Sequence, residues 1–299
     1  MDFRLTEDQR ALRKGVRELL ARLFGREALR AAVDAPSPSL DRELWRELGA
    51  AGFFALRLPE EEGGVGLGLP EAVLAFEEAG RCLVPGPLVA THVAAGAVPG
   101  AAEGSTVVTE VDEGLVPWLD EADVVLGDVA GAAPMRSVDP LTPLHRVPGL
   151  VGTTGVPDTA DVLPATGVAV LLTAAEQVGS AAATTEMAVR YAREREQFGQ
   201  VIGGFQAVKH LCAGMLVRVE LARAAVWAAS VTADPVEIAG AKLLADEAAT
   251  GNARDCLQVY GGMGFTWEAD VHLHLKRAWV RAGLRLPAAR AEEVVAAGL

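Results

Sequence analysis

Leu12, Val16, Leu19, Leu20, Leu23 and Phe24 recur at helical spacing, so the N-terminal stretch predicts an amphipathic helix with one apolar face. Thr6 stands ahead of it, three residues before Gln9. That is a capping-box spacing, in which hydroxyl and amide satisfy the free N–H groups of a helix start. Pro36 and Pro38 break the pattern. Beyond them LDRELWRELGAAGFFAL predicts a second helix ending near Gly49, and LPEEEGGVGLGLPEAVLAFEEAGR a glycine-rich loop leading into a third. Residues 1–100 are therefore expected to form an α-helical domain.

From residue 101 the period changes. STVVTEV, ADVVLGDVA, MRSVD and LHRV are short β-type runs separated by Gly, Pro and Asp turns, which assigns 101–156 to a small β domain. From Pro157 an alanine-rich helical pattern resumes, through AAEQVGSAAATTEMAVRYARERE, QAVKHLCAGMLVRVELARAAVWAAS, PVEIAGAKLLADEAATGNARDCLQVY and a last stretch from Glu268. Four such helices suggest an antiparallel bundle over 157–299. The expected fold is mostly α: an N-terminal helical domain, a reduced β domain and a C-terminal four-helix bundle.

Composition narrows the function classes. With 299 residues, 51% hydrophobic and 22% charged, the chain is globular and long enough for a sizeable core. A net charge of −13 argues against nucleic acid, which needs a basic face. No run of eighteen apolar residues lacks charges or breakers, and Met1 to Ala21 is amphipathic and carries acids. Neither a membrane span nor a secretory signal is expected, and the cytoplasm is the expected compartment. Cys82, Cys212 and Cys256 lie far apart without a C-x-x-C spacing and are expected as buried small hydrophobes. His272 and His274 lack a third ligand nearby, so no metal site is expected there.

REREQFGQVIGGFQ, at 193–206, carries more chemistry than a connection between helices needs. Arg195 can offer a bidentate fork to a pyrophosphate, Phe198 an aromatic plug against a flat ring system, and Gln206 an amide to the same ligand. Gly203 and Gly204 are expected to let the chain reverse. The plain alternative is a helix-end arginine in a surface ion pair beside a core phenylalanine. In QVYGGMGF, at 258–265, Gln258 precedes Gly261, Gly262 and Gly264, where bare backbone could approach a nucleotide or simply cap a helix. Glu247, Arg254 and Gln258 fall on one helical stripe. Lys209 and His210 continue the polar face after Gln206.

Three of these stretches resemble signatures of the acyl-CoA dehydrogenase family, in the family's order. YAREREQFGQVIGGFQAVKH is similar to R-x-Q-F-G…F-Q, QVYGGMGF to Q-x-x-G-G-x-G-F, and LPEEEGGVGLGLPEAVLAFEEAGR to the N-terminal P-E-E-x-G-G-x-G…E-E pattern. The resemblance implies FAD-dependent α,β-dehydrogenation of an acyl-CoA thioester. It also implies that Arg195, Phe198, Gln206, Gln258, Gly261 and Gly262 reach the adenosine and pyrophosphate of FAD held by a neighbouring subunit.

The departures matter equally. The family's T-E-P-x-x-G-S-D run is reduced to Thr109-Glu110, no W-x-x-[ST] follows, and the usual Y-E-G-T base position falls on Arg285. An alternative base position on the helix before Q-x-x-G-G falls on Glu247, whose plain reading is a solvated acid next to Asp246. The resemblance with these losses implies a short subunit in a heterotetramer with a full-length acyl-CoA dehydrogenase partner. A bulky or steroid-type acyl-CoA would be the substrate and an electron-transferring flavoprotein the redox partner. Two other readings stand beside it: a self-contained homo-oligomeric enzyme using Glu247 as base, and a non-catalytic acyl-CoA-binding or scaffold subunit.

Overall fold

The computed structural model describes residues 4–149 and 163–298. Its N-terminal layer is α1 (Glu7–Leu23), α2 (Arg26–Asp34), α3 (Arg42–Ala50), α4 (Leu69–Cys82) and α5 (Leu88–Ala94). The capping box forms: Gln9 N donates to Thr6 Oγ1 at 3.2 Å and Thr6 N to Gln9 Oε1 at 2.9 Å. The periodicity did not separate α2 from α1, because the same apolar stripe continues across Gly25, which starts α2 in an extended conformation. Trp45, Leu48, Phe54 and Phe76 are fully buried together, with the Trp45 and Phe54 rings 4.8 Å apart. In the glycine-rich loop Gly63 and Gly66 take φ of +79° and +71°, and Glu71 accepts from Gly68 N at 3.1 Å to open α4.

The β region is made of three-residue strands. β1 (Val108–Glu110) pairs in parallel with β3 (Val124–Leu126), while β2 (Leu115–Pro117) and β4 (Ala133–Met135) flank β5 (Leu144–Arg146) antiparallel. One expectation is corrected and one strand is new. MRSVD contributes only Met135, to the end of β4, and β2 arises in a stretch too short to show alternation. Such strands cannot hold a sheet alone. They are tied to the helices instead, as where Thr91 Oγ1 on α5 donates to Val108 O at 3.1 Å. The boundary expected between 156 and 157 lies outside the described residues.

The C-terminal helices are α6 (Leu163–Glu194), α7 (Gln206–Thr232), α8 (Pro235–Tyr260) and α9 (Val271–Ala282), followed by α10 (Ala288–Ala297). The last, unanticipated, packs on α8, which also packs on α6, α7 and α9. Asp234 caps α8, accepting from Val236 N at 2.9 Å and Glu237 N at 3.0 Å, with Pro235 in the first helical position. α4 and α6 cross with their backbones in contact. A Cβ on Gly80 would lie 2.0 Å from Glu176 O, and one on Gly179 would lie 1.9 Å from Glu77 O. The bundle and the N-terminal layer thereby share one core.

Candidate cofactor edge and a filled junction

After α6 the chain makes a tight hairpin, β6 (Glu196–Gln197) against β7 (Gln200–Val201). The reversal occurs at Phe198 and Gly199, whose φ values are +55° and +80°, the pair of left-handed residues a two-residue hairpin favours. Gly203 and Gly204 do not reverse the chain, contrary to expectation. They sit in a single 3₁₀ turn, where a Cβ on Gly203 would meet Ala192 O at 2.8 Å. Phe198 is no core residue: it is 92% exposed, its ring set edge-on to that of Phe205 with centroids 6.1 Å apart.

The end of α8 lies at the same end of the bundle, joined to the end of α6 by the stacked rings of Tyr191 and Tyr260, 4.1 Å apart. Gly261 takes φ +59°, and a side chain on Gly261 or Gly262 would meet nothing within 4 Å. Arg195, Gln206, Gln258 and Gly262 are exposed, and Gln206 Nε2 lies 3.0 Å from His210 Nε2. The six residues expected at a dinucleotide are thus gathered at one bundle end. They present a guanidinium fork, two amides, bare main chain and an aromatic face to solvent.

The junction of α5, the β region, α6 and α9 is different. Its cavity measures only about 50 Å³, lined by Trp118, Thr173, Glu176, Arg281 and Arg285 among others. Arg285 Nη2 donates to Glu110 Oε1 at 2.5 Å, and Arg285 N to Asp112 Oδ2 at 2.6 Å. Arg281 Nη2 donates to Glu176 Oε1 at 2.7 Å. Arg277 pairs with Asp139 and also donates to Val84 O at 3.2 Å and Leu141 O at 3.3 Å. Behind them the fully buried Lys242 pairs with Asp246, which accepts from Gln177 Nε2 at 2.9 Å.

Burial pushes the Arg281 pKa down to about 10, raises the Asp112 and Asp246 carboxyls and lowers Lys242. Burial also pulls on Arg285, but Glu110 and Asp112 outweigh it and hold that guanidinium above its ordinary value. Glu110 and the arginine at the expected base position are therefore bonded to each other. The sequence reading missed Glu176, Arg277 and Arg281. The four-residue spacing of Arg277, Arg281 and Arg285 was a signal that could have found the two arginines.

Glu247 stands apart from the junction. With Arg254 and Gln258 it forms an exposed stripe on α8, while its neighbour Asp246 turns inward to Lys242. Eleven residues of helix put it about 16 Å below Gln258. His274 is buried against Ser180 Oγ at 2.8 Å, whereas His272 stacks on Trp267 at 5.0 Å. Cys256 is buried, which pushes its thiol up to about 12; Cys82 and Cys212 are only half-buried.

This geometry meets independent likeness to known proteins. Residues 6–107 match the acyl-CoA dehydrogenase N-terminal domain and residues 166–283 the C-terminal domain of the same family. Acyl-CoA dehydrogenase IpdE2 of Mycobacterium tuberculosis is 37% identical over 297 residues, covering 91% of each chain. The chain belongs to the acyl-CoA dehydrogenase family. Its fold is similar to that in the ChsE4-ChsE5 complex from Mycobacterium tuberculosis, with TM-score 0.83 and 23% identity over 99% of this chain and 98% of that one. It is also similar to the Tcur3481-Tcur3483 steroid ACAD, with TM-score 0.81 and 24% identity over 98% of each.

FAD is the cofactor of this family. The donor set at the bundle end suits its adenosine and pyrophosphate. The junction does not suit its ring system, because about 50 Å³ holds a water or two and not three fused rings. No helix among the described residues is long and apolar enough to cross a membrane.

Proposed function

We propose that the chain is one subunit of a heteromeric FAD-dependent acyl-CoA dehydrogenase. It supplies adenosine and pyrophosphate contacts to FAD seated in a full-length partner, which holds the flavin ring, the thioester and the catalytic base. The observation that carries this reading is a contrast. The cofactor-edge residues are intact and exposed, while the junction where a base should face the thioester is filled by arginines already paired with acids. A 92%-exposed Phe198 on left-handed backbone makes sense when another surface covers it.

Each edge residue has a defined part. Arg195 neutralises pyrophosphate through two parallel N–H donors, Gln206 and Gln258 orient by amide hydrogen bonds, and bare backbone at Gly261 and Gly262 allows close approach. Phe198 excludes water beside the dinucleotide. α7 supports assembly, because Leu216, Val217 and Leu221 lie at i, i+1 and i+5 on its outer side and are 54%, 66% and 55% exposed. A heterotetramer of two such pairs fits these surfaces. The steroid ACAD among its structural neighbours supports a bulky acyl-CoA as substrate, and the family chemistry an electron-transferring flavoprotein as acceptor.

The test is flavin retention by the assembled complex. Arg195→Ala removes a charge-assisted bond worth about 1.5–3 kcal/mol, so flavin should dissociate roughly ten- to a hundredfold more readily while the fold stays intact. Arg195→Lys should recover only part, having no fork. Equal retention in all three proteins contradicts the assignment. Glu247→Gln should leave turnover nearly unchanged. A fall below about one per cent at constant flavin content would make Glu247 the base and this chain self-contained.

A further inference from the structure

A second cavity, of about 240 Å³, opens between α1, α4, α6 and α7 and shares no lining residue with the junction. Val73 and Leu74 from α4, Val178 from α6, and Val226 and Trp227 from α7 form its apolar wall, while Arg13, Glu77, Glu220 and Arg223 edge it, with Arg223 paired to Glu220. Glu77, at its edge, is 2% exposed but not left unpaired, since Arg13 reaches it at 3.3 Å and Arg223 at 3.0 Å. The charges at its edge are therefore paired with one another, and the apolar wall is left for a hydrocarbon.

Through Leu5 and Arg13 it runs on into an open groove of about 580 Å³ along α1. Arg10, Arg13, Lys14 and Arg17 recur there at i, i+3, i+4 and i+7 and, with Arg4, leave the described lining without a single acid. Arg13 and Arg17 are anchored on Glu78 beneath at 2.9 and 2.8 Å, which fixes their guanidinium groups in place. Arg10 donates to a main-chain oxygen, Leu5 O, at 2.6 Å, and Lys14 lies 3.8 Å from the exposed Glu18. On a chain of net charge −13 this is a local reversal of sign.

An apolar hollow opening into a groove lined by cations recognises a molecule of two parts. Neither an ion nor a hydrocarbon alone uses both. Cavities of about 150 Å³ take a six-carbon benzene, so the hollow has room for roughly eight to ten carbons. We infer that the α1–α4–α6–α7 cavity binds a medium-chain acyl amphiphile. Its tail lies against Val73, Val178 and Trp227, and its anionic head, a carboxylate or the phosphates of a thioester, lies along Arg10, Lys14 and Arg17. This site is separate from the junction and independent of which subunit performs the chemistry.

The probes are decanoate, decanoyl-CoA and free coenzyme A, each titrated calorimetrically into the full chain below its micellar concentration. Saturable binding of one decanoyl group per chain is expected. Ala224→Trp, built from an exposed position at the mouth of the hollow, should weaken it at least tenfold without changing circular dichroism or melting. Arg10→Glu with Lys14→Glu should weaken it several-fold, more at low salt. If decanoate binds as well as its thioester, the head is a carboxylate; if only the thioester binds, the phosphates are required. The inference is overturned if neither acyl probe saturates, if free coenzyme A binds as tightly as decanoyl-CoA, or if Ala224→Trp binds like the parent.

Discussion

Replacing Arg285 by Met separates a structural arginine from a relic of an open active site. Met keeps an L-residue at φ +46°, so the backbone strain is common to both proteins. What is lost is the cation between Glu110 and Asp112. Asp112 already has its carboxyl pushed up by burial, and the Glu110 side chain keeps 25% of its exposure. Removing one partner of a buried ion cluster costs about 3–5 kcal/mol, and water reaching Glu110 places the change at the lower end, about 3. With a urea slope of about 3 kcal/mol per molar, the unfolding midpoint should fall by roughly 1 M. The triple variant Arg285→Met, Glu110→Gln, Asp112→Asn removes these three charges together and should regain most of that loss, because a neutral replacement is often as stable as a buried ion set. A single variant within about 1 kcal/mol of the parent, or a triple variant no better than the single, would refute the reasoning.

Three further outcomes follow from the same packing. His274 and His92 are held neutral by burial, with pKa values of about 3 and about 4, while the unfolded chain protonates them below roughly 6.5. The unfolded state thus binds more protons in that window. Stability should fall as pH drops from about 6.5 toward 4, by up to ~2 kcal/mol per histidine at pH 5; urea midpoints at pH 7 and 5 should show it, and His274→Gln should flatten the slope. Gly179→Ala forces a Cβ to within 1.9 Å of Glu77 O and should cost several kcal/mol or abolish soluble protein, read by urea unfolding, whereas Gly240→Ala, with open space around it, should be benign. Changing Leu216, Val217 and Leu221 to Ser should leave the fold intact and lower the mass of the assembled complex in light scattering; an unchanged mass removes α7 from the interface.

Much of the architecture was legible because it rests on local signals. Thr6 and Gln9 cap where their spacing said they would, and each long alanine-rich run became a helix. α2 was not legible, since a stripe that continues through Gly25 looks like one helix until the chain bends. Phe198 was expected as an aromatic plug for a ligand, with a core phenylalanine as the plain alternative; its exposure rules out the core, and the paired left-handed residues of the hairpin explain how it is thrust outward. The motifs that gathered Arg195, Gln206 and Gln258 could be read in sequence because each sits at a helix end that the motif itself specifies. The junction could not. Glu110, Glu176 and Arg285 come from three distant stretches, so a missing base and a shortened β motif look in sequence like two separate losses. In the fold they are one ion cluster, with Arg285 bonded to Glu110.

The most direct measurement of the central claim is a count of flavin per chain. The chain should be purified by itself and together with a full-length family partner, and FAD released from each should be quantified against protein. The account predicts a colourless chain alone and one FAD per pair of unlike chains in the complex. One FAD per chain in the isolated protein, bound firmly enough to survive gel filtration, would contradict it.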